Sequence, residues 1–310
     1  MFGSRRKADT PAPAGNVIAL PTRNAESVLR RLEWTVLRRL DGLLHGDYRT
    51  LFRGFGLDLA DLREYQYHDD VRHIDWNVTA WFLLDVSPSV DFGSGDVRKR
   101  SVSTDFVTVL ARILTRHGNR VGAAFYGETM DTVVPAGGGR RHVLHILHRM
   151  LQRPQQVQTA QTNLDEFLRA AFPAISRRSI VFIVSDFIST APWTDAIAQL
   201  AQRHEVLAVR LYDPLENELP DLGLLTMQDA ETGEQLFVDT HDRGFRRRFV
   251  KAAEEREEAL RAAFRNAGVD ALELCTDDDL ADTILRFADM RKRRSRLNAG
   301  AVLPRAPRDA

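Results

Sequence analysis

Cysteine is nearly absent: Cys275 stands alone in 310 residues, so no internal disulfide can form and the chain suits a reducing compartment. Long apolar runs are missing as well, and nothing approaches the ~20 residues that cross a bilayer. The basic start Met1-Phe2-Gly3-Ser4-Arg5-Arg6-Lys7 leads into polar, Pro- and Ala-containing sequence, with no apolar signal region after it. There is no net charge either. Forty-three basic residues balance 43 acidic ones, which excludes a global field for nucleic acid or a membrane surface. No Gly-x-Gly-x-x-Gly occurs, and the run Gly137-Gly138-Gly139 lacks the Gly-Lys-Ser/Thr ending of a nucleotide-binding loop. The expectation is a cytoplasmic protein with no membrane span and no specific nucleic-acid partner.

What is present is a chain of ordinary hydrophobic content, 44%, long enough for one large core or one core with a small appendage. Residues 1–25 mix Pro, Ala, Asn and Arg without periodicity and read as a disordered lead-in. A helix is expected over Ala25–Leu44, where Val28, Leu32, Val36, Leu40 and Leu43 recur at helical spacing. The rest of the N-terminal segment, up to residue 80, is rich in Arg, Asp, His and Tyr, too polar for a core of its own. From Trp81 the pattern changes. Apolar runs at Trp81–Leu84, Val121–Tyr126, Ile180–Val184, Val206–Leu211 and Ala271–Leu274 alternate with amphipathic stretches at Val97–His117, Arg141–Leu151, Leu164–Phe172, Trp193–Arg203, Phe245–Asn266 and Asp279–Arg291. Continuous apolar strands separated by helices predict an α/β domain over residues 81–290, with a doubly wound, mostly parallel sheet. Thr129–Pro135 fits an added antiparallel edge strand, and Leu224–Val238 a two-stranded excursion around Thr232-Gly233. Residues 291–310 are basic and then Pro/Ala-rich, a frayed tail.

The informative string is Asp85-Val86-Ser87-Pro88-Ser89, directly after the first apolar run. An aspartate and two serines at alternate positions on a loop leaving a buried strand can turn three hard oxygen donors toward one point. In an open doubly wound sheet, ligands sit beyond the carboxyl ends of the strands, where strand order reverses. Asp186 follows the strand Ile180–Val184, and Thr162 lies on the loop before a helix, at the same expected edge. Hydroxyls and carboxylates suit Mg²⁺, with Mn²⁺ or Ca²⁺ as variants, and the absence of soft donors at these positions disfavours zinc. Two aspartates and three neutral hydroxyls leave such an ion under-neutralised, which would draw an acidic side chain of a protein client into the open position. The bland alternative has Ser87 and Ser89 capping a turn and Asp186 capping a helix.

Asp85-x-Ser87-x-Ser89, Thr162 and Asp186 resemble the metal-ion-dependent adhesion site of von Willebrand factor A domains. Upstream, Arg63-Glu64-Tyr65-Gln66-Tyr67-His68-Asp69-Asp70-Val71-Arg72-His73-Ile74-Asp75-Trp76 is similar to the signature of a bacterial domain-of-unknown-function family that carries such a domain and is commonly encoded beside MoxR-type AAA+ ATPases. The resemblance spans roughly residues 40 to 290. It implies a partnership with a MoxR-type ATPase in protein maturation or complex assembly, and a binding module instead of an enzyme, with no catalytic residue. The sequence departs from the family at His68, where a glycine is usual. It departs again in the short connection Asn77-Val78-Thr79-Ala80, where members place an additional strand and turn. If that strand is gone, Thr129–Pro135 is the segment available to cover the edge.

An Mg²⁺-dependent phosphatase or nuclease using Asp85 and Asp186 is the competing reading. It needs a nucleophile or an activated water at the ion, and the neighbouring serines have no evident histidine base. His142, His145 and His148 read as one partly exposed helix face, Arg246-Arg247-Arg248 as solvated charges paired at helical spacing, Asp277-Asp278-Asp279 as a helix start, and Cys275 as a small apolar residue at a strand end.

Overall fold

The structure, a computed structural model, describes residues 24–44, 78–127, 130–152, 162–228 and 234–299. The expected lead-in up to Arg23, the signature Arg63–Trp76 and the segment from Gly300 onward lie outside the described residues.

Among the described residues, eight strands form two sheets. β1 (Thr79–Asp85), β2 (Arg120–Tyr126), β3 (Met130–Gly137), β4 (Ile180–Ser185), β5 (Glu205–Tyr212) and β8 (Asp270–Cys275) make one sheet in the order β3-β2-β1-β4-β5-β8, and β6 (Leu224–Gln228) pairs with β7 (Gln235–Asp239). All neighbours in the large sheet are parallel except β2 and β3. The expected α/β, doubly wound and mostly parallel architecture is therefore present, with the edge strand and the two-stranded excursion in their expected places. Pro135 sits in β3 beside a register shift between Val121 and Ala123, which is where an edge strand tolerates a residue without an amide donor.

Helices cover both faces. On one lie α1 (Ala25–Leu32), α2 (Arg38–Leu44), α3 (Lys99–Arg116), α4 (Gly139–Gln152) and α8 (Leu280–Ala299); on the other lie α5 (Leu164–Ala171), α6 (Thr194–Arg203) and α7 (Arg243–Ala267). Alternation along β1 divides the core accordingly. Ala80, Phe82 and Leu84 face the first layer, and Trp81 and Leu83 face the second. Phe82 stacks on Phe182 at 5.1 Å between centroids, and Phe106 of α3 meets Phe182 edge-on at 6.4 Å. On the other face the Trp81 indole lies over its cross-strand neighbour Gly122, where any Cβ would come within 2.8 Å of the ring.

Two helical details differ from the sequence pattern. A π turn at Glu33–Leu37 joins α1 to α2, and its extra residue moves the buried stripe from Val28, Leu29 and Leu32 to Leu37 and Leu40, leaving Val36 only partly buried. Helix α8 also runs on to Ala299, through Arg291-Lys292-Arg293-Arg294, because Arg, Lys and Leu are good helix formers. Salt bridges from Arg31 to Asp105, Arg112 to Glu33, Arg140 to Glu26 and Arg39 to Asp279 and Asp282 fasten α1–α2 to the main body.

Candidate metal-binding edge

β1 connects outward to β2 on one side, and the chain returns to place β4 on its other side, so strand order reverses between β1 and β4. Their carboxyl ends therefore frame the crevice where a ligand is expected. Asp85 ends β1 and Asp186 follows β4 directly. Both are buried, as are Ser87, Ser89 and Thr162.

Asp85 is held from two sides. Its Oδ1 accepts from the Ser87 amide at 2.9 Å and its Oδ2 from the Ser185 hydroxyl at 2.6 Å. Pro88 opens the short 3₁₀ turn Pro88–Asp91 with Ser87 as its cap, and the Ser87 and Ser89 hydroxyls lie 3.0 Å apart on the same side. Thr162 reaches this edge through its neighbours. Its carbonyl accepts from the Thr190 amide at 3.1 Å and hydroxyl at 3.2 Å, and the Leu164 amide donates to the Ser189 hydroxyl at 3.1 Å. The loop before α5 is thus tied to the loop that follows Asp186.

The turn at Asp186 is strained. Phe187 has φ 60°, a left-handed conformation uncommon for a residue with a side chain. Its amide donates to the Ser185 hydroxyl at 2.9 Å, and its buried ring packs on Trp193 at 5.2 Å and Phe264 at 4.9 Å. Asp186 Oδ1 accepts from the Ile188 amide at 3.1 Å. Its Oδ2 accepts from Lys99 Nζ at 2.8 Å, and the same ammonium donates to Glu216 Oε1 at 2.6 Å.

Burial, and next the negative charge of Asp186, push the Asp85 carboxyl up to about 6, against the hydrogen bonds from Ser185 and Ser87. Burial works against the Lys99 ammonium, but Asp186 and Glu216 outweigh it and hold it above its ordinary range. Burial raises Glu216 in spite of Lys99. Asp213 goes the other way. Burial would raise it, yet donation from the Ser94 amide at 2.9 Å, the Leu215 amide at 3.0 Å and the Thr276 hydroxyl at 2.8 Å lowers it. By gripping Ser94, Asp213 fixes the loop that delivers Lys99 at the start of α3.

The five residues expected to form the site are thus found at one edge of the sheet. Lys99, Ser185, Asp213 and Glu216 belong to it and were not singled out by their sequence pattern. Lys99 alone carried a signal: a basic residue in the first turn of a helix opposes the helix dipole, so a partner is implied. Among the described residues, no group of three or more His, Cys, Asp or Glu side chains is placed to hold a metal ion. Any cation here would rest on no more than the two aspartates, on hydroxyls and on a donor from outside. The donor chemistry fits that role: an all-oxygen set, a pair of hydroxyls side by side, and a buried carboxylate with no cation of its own among the described residues. Asp85, Ser87, Ser89, Thr162 and Asp186 are the residues that would hold a hard divalent ion.

Several of the other groups weighed from sequence have structural partners. His142 Nε2 sits 2.7 Å from the Val121 carbonyl, while His145 and His148 are exposed. Arg246 pairs with Asp221 at 3.0 Å, and Asp279 Oδ1 caps α8 by accepting from the Asp282 amide at 3.0 Å. Cys275 is buried, and burial raises its thiol further from reactivity.

Comparison with known proteins agrees with the family resemblance. The uncharacterized proteins Rv1480 of Mycobacterium tuberculosis (strain H37Rv) and Mb1516 of Mycobacterium bovis are each 34% identical over 287 residues, covering 86% of this chain and 90% of theirs. Among solved structures, an aerotolerance-related membrane protein from Bacteroides fragilis aligns with a TM-score of 0.47 at 10% identity, and BatB from Bacteroides thetaiotaomicron with 0.43 at 14%; each alignment covers 70% of this chain and 100% of the other. No helix among the described residues is long and apolar enough to cross a membrane. Residues 61–259, more than half of the sequence, match the family described as protein of unknown function DUF58, and the chain belongs to that family.

Proposed function

We propose that this protein is a non-enzymatic, metal-dependent interaction module. In this reading Asp85, Ser87, Ser89, Thr162 and Asp186 hold Mg²⁺, or Mn²⁺ or Ca²⁺ in its place, and an acidic side chain of a partner completes the ion's shell. The partner is a MoxR-type AAA+ ATPase or a protein client presented to it, so the module serves as adaptor or scaffold in protein maturation or complex assembly. An ATP-driven partner sets the encounter in the cytoplasm, in keeping with a chain that holds a single cysteine.

One observation carries the reading. The buried Asp85 carboxylate stands at the strand-order reversal beside two adjoining hydroxyls and a second aspartate, with no cation of its own among the described residues. An ion bound there would supply a Lewis-acidic point toward which a carboxylate is drawn. The chain's residues would do the rest. The Ser87 amide and the Ser185 hydroxyl aim Asp85, the 3₁₀ turn aligns the two serines, and the aromatic cluster around Phe187 fixes the Asp186 turn.

Calorimetric titration with Mg²⁺ of the wild type and of Asp85→Ala, each checked for folding by circular dichroism, tests the reading. Weak binding by the wild type and none by the folded variant is expected, together with ATPase or client capture that is lost in excess chelator. Binding that persists in Asp85→Ala, or capture indifferent to chelator, would overturn it. So would metal-dependent turnover in a phosphatase and nuclease screen that disappears in Asp85→Ala.

A further inference from the structure

Lys99 is the least expected member of the edge. A lysine is among the residues most reluctant to be buried, and the first turn of a helix is the wrong end for a positive charge. Yet its side chain is 1% exposed, and its ammonium bridges Asp186 and Glu216. The surroundings are built to deliver it. Asp213 accepts from the Ser94 amide, the Lys99 amide donates to the Phe92 carbonyl at 2.9 Å, and the Arg256 guanidinium donates to the Glu216 carbonyl at 2.9 Å. Asp186 in consequence gives one oxygen to an amide and the other to Lys99, whereas Asp85 meets no cation among the described residues.

We propose that Lys99 is a resident counter-cation that sets the charge of the site and keeps its grip on a divalent ion loose, so that the ion retains its pull on an incoming carboxylate. This rests on the metal-binding reading above and specifies how that site is regulated. With Asp85, Asp186 and Glu216 ionised and Lys99 protonated, these four groups carry two net negative charges, which one divalent ion cancels; Asp213 stands outside the count, its carboxylate held by the Ser94 and Leu215 amides and the Thr276 hydroxyl. The four groups and the ion are then neutral together, and a partner's carboxylate meets little repulsion from them. Without the ammonium, one negative charge would survive ion binding; the ion would be held harder and the carboxylate welcomed less. Lys99 is thus a positioning residue that acts through Asp186.

The two neighbours of the ammonium make opposite predictions. A unit charge a few ångströms from a divalent ion changes affinity by about tenfold even with water-like screening. Lys99→Met should therefore tighten Mn²⁺ binding by about tenfold or more, and Glu216→Gln should weaken it by about tenfold. Mn²⁺ alone is the probe, read by calorimetry and by the electron paramagnetic resonance signal of the free ion, with urea denaturation of each variant alongside. Glu216→Gln keeps the Lys99–Asp186 pair, so it remains informative if Lys99→Met does not fold. Opposite shifts in the two variants support the proposal, as does binding that appears only in Lys99→Met. A folded Lys99→Met with unchanged or weaker affinity, or a Glu216→Gln that binds as tightly as wild type, overturns the role of Lys99 and leaves the metal reading standing. Absence of binding in the wild type and in every variant removes both.

Discussion

Among the described residues, two buried cations sit under opposite conditions. Arg210 of β5 meets Glu257 of α7 in a two-pronged pair, with Nη1 donating to Oε2 at 2.6 Å and Nη2 to Oε1, and its guanidinium lies 4.9 Å from the centre of the Tyr212 ring. There one charge answers one charge, in the matched fork geometry of guanidinium and carboxylate. Lys99 is shared between Asp186 and Glu216, and Asp85 stands close enough to Asp186 for its ionisation to be opposed. The first arrangement fastens a helix to a strand with its charges matched, although the buried Arg210 Nε finds no acceptor among the described residues. The second concentrates more negative than positive charge in a dry place at a strand-order reversal, which is costly unless something else arrives. Surplus charge of this kind separates a site from a fastening.

The comparison can be broken most severely at the matched pair. Arg210→Met strands a buried carboxylate, and urea denaturation should show a loss of about 3–5 kcal/mol, while Mg²⁺ affinity, which Arg210 reaches only through its field on Glu216, should change less than in Lys99→Met. An Arg210→Met protein that keeps its stability but loses the ion would reverse the assignment of the two regions.

Next comes the acid–base behaviour of Asp85. Its carboxyl ionises near 3.8 when unfolded and near 6 when folded, so the folded state holds the proton longer. Its contribution is greatest below pH 4, falls as pH rises from about 4 to about 6, and is level above that. At ~1.4 kcal/mol per pH unit the loss is about 3 kcal/mol. In chelator, Asp85→Asn should abolish that share of the slope, measured as the difference from wild type. A wild type and variant with parallel pH–stability curves would show that Asp85 is not under strain.

Ion addition should give the next effect in size. Mg²⁺ at about a hundred times its dissociation constant stabilises a folded site by about 2.7 kcal/mol. The thermal midpoint should rise in the wild type and stay put in Asp85→Ala; an equal rise in both would place the ion elsewhere. The smallest effect belongs to the exposed pair Arg169–Asp165, 2.8 Å apart on α5. Arg169→Ala should leave the urea midpoint almost unmoved and metal affinity alone, which calibrates the buried pairs.

Much of the framework could be read directly from the residues, and the reason is burial. Strands covered on both faces need to be apolar throughout, so Trp81–Leu84, Val121–Tyr126 and Ile180–Val184 announced themselves, and turn and cap residues marked the helices between them. The string Asp85-x-Ser87-x-Ser89 was legible because its spacing is local. Glu216 is not legible in that way: it meets Lys99 from 117 residues away, and no local pattern records the encounter. Ser185 was hidden as the last residue of an apolar strand, although its hydroxyl is what joins Asp85 to the Phe187 turn. The shift of the buried stripe to Leu37 was invisible for another reason. A π turn changes the period of the pattern itself, and a search for spacing of three and four favours Val36.

The aromatic cluster behind Asp186 gives the protein an optical reporter of its own. Trp193 is buried against Phe187, the residue whose amide is tied to Ser185 and whose strained backbone holds the Asp186 turn. Any relaxation of that turn when an ion or a partner arrives must move the Phe187 ring, and with it the surroundings of the indole. The emission of Trp193 should therefore follow occupancy of the edge in real time without an added dye, and Trp193→Phe, by silencing it, would show which of the chain's four tryptophans is responding.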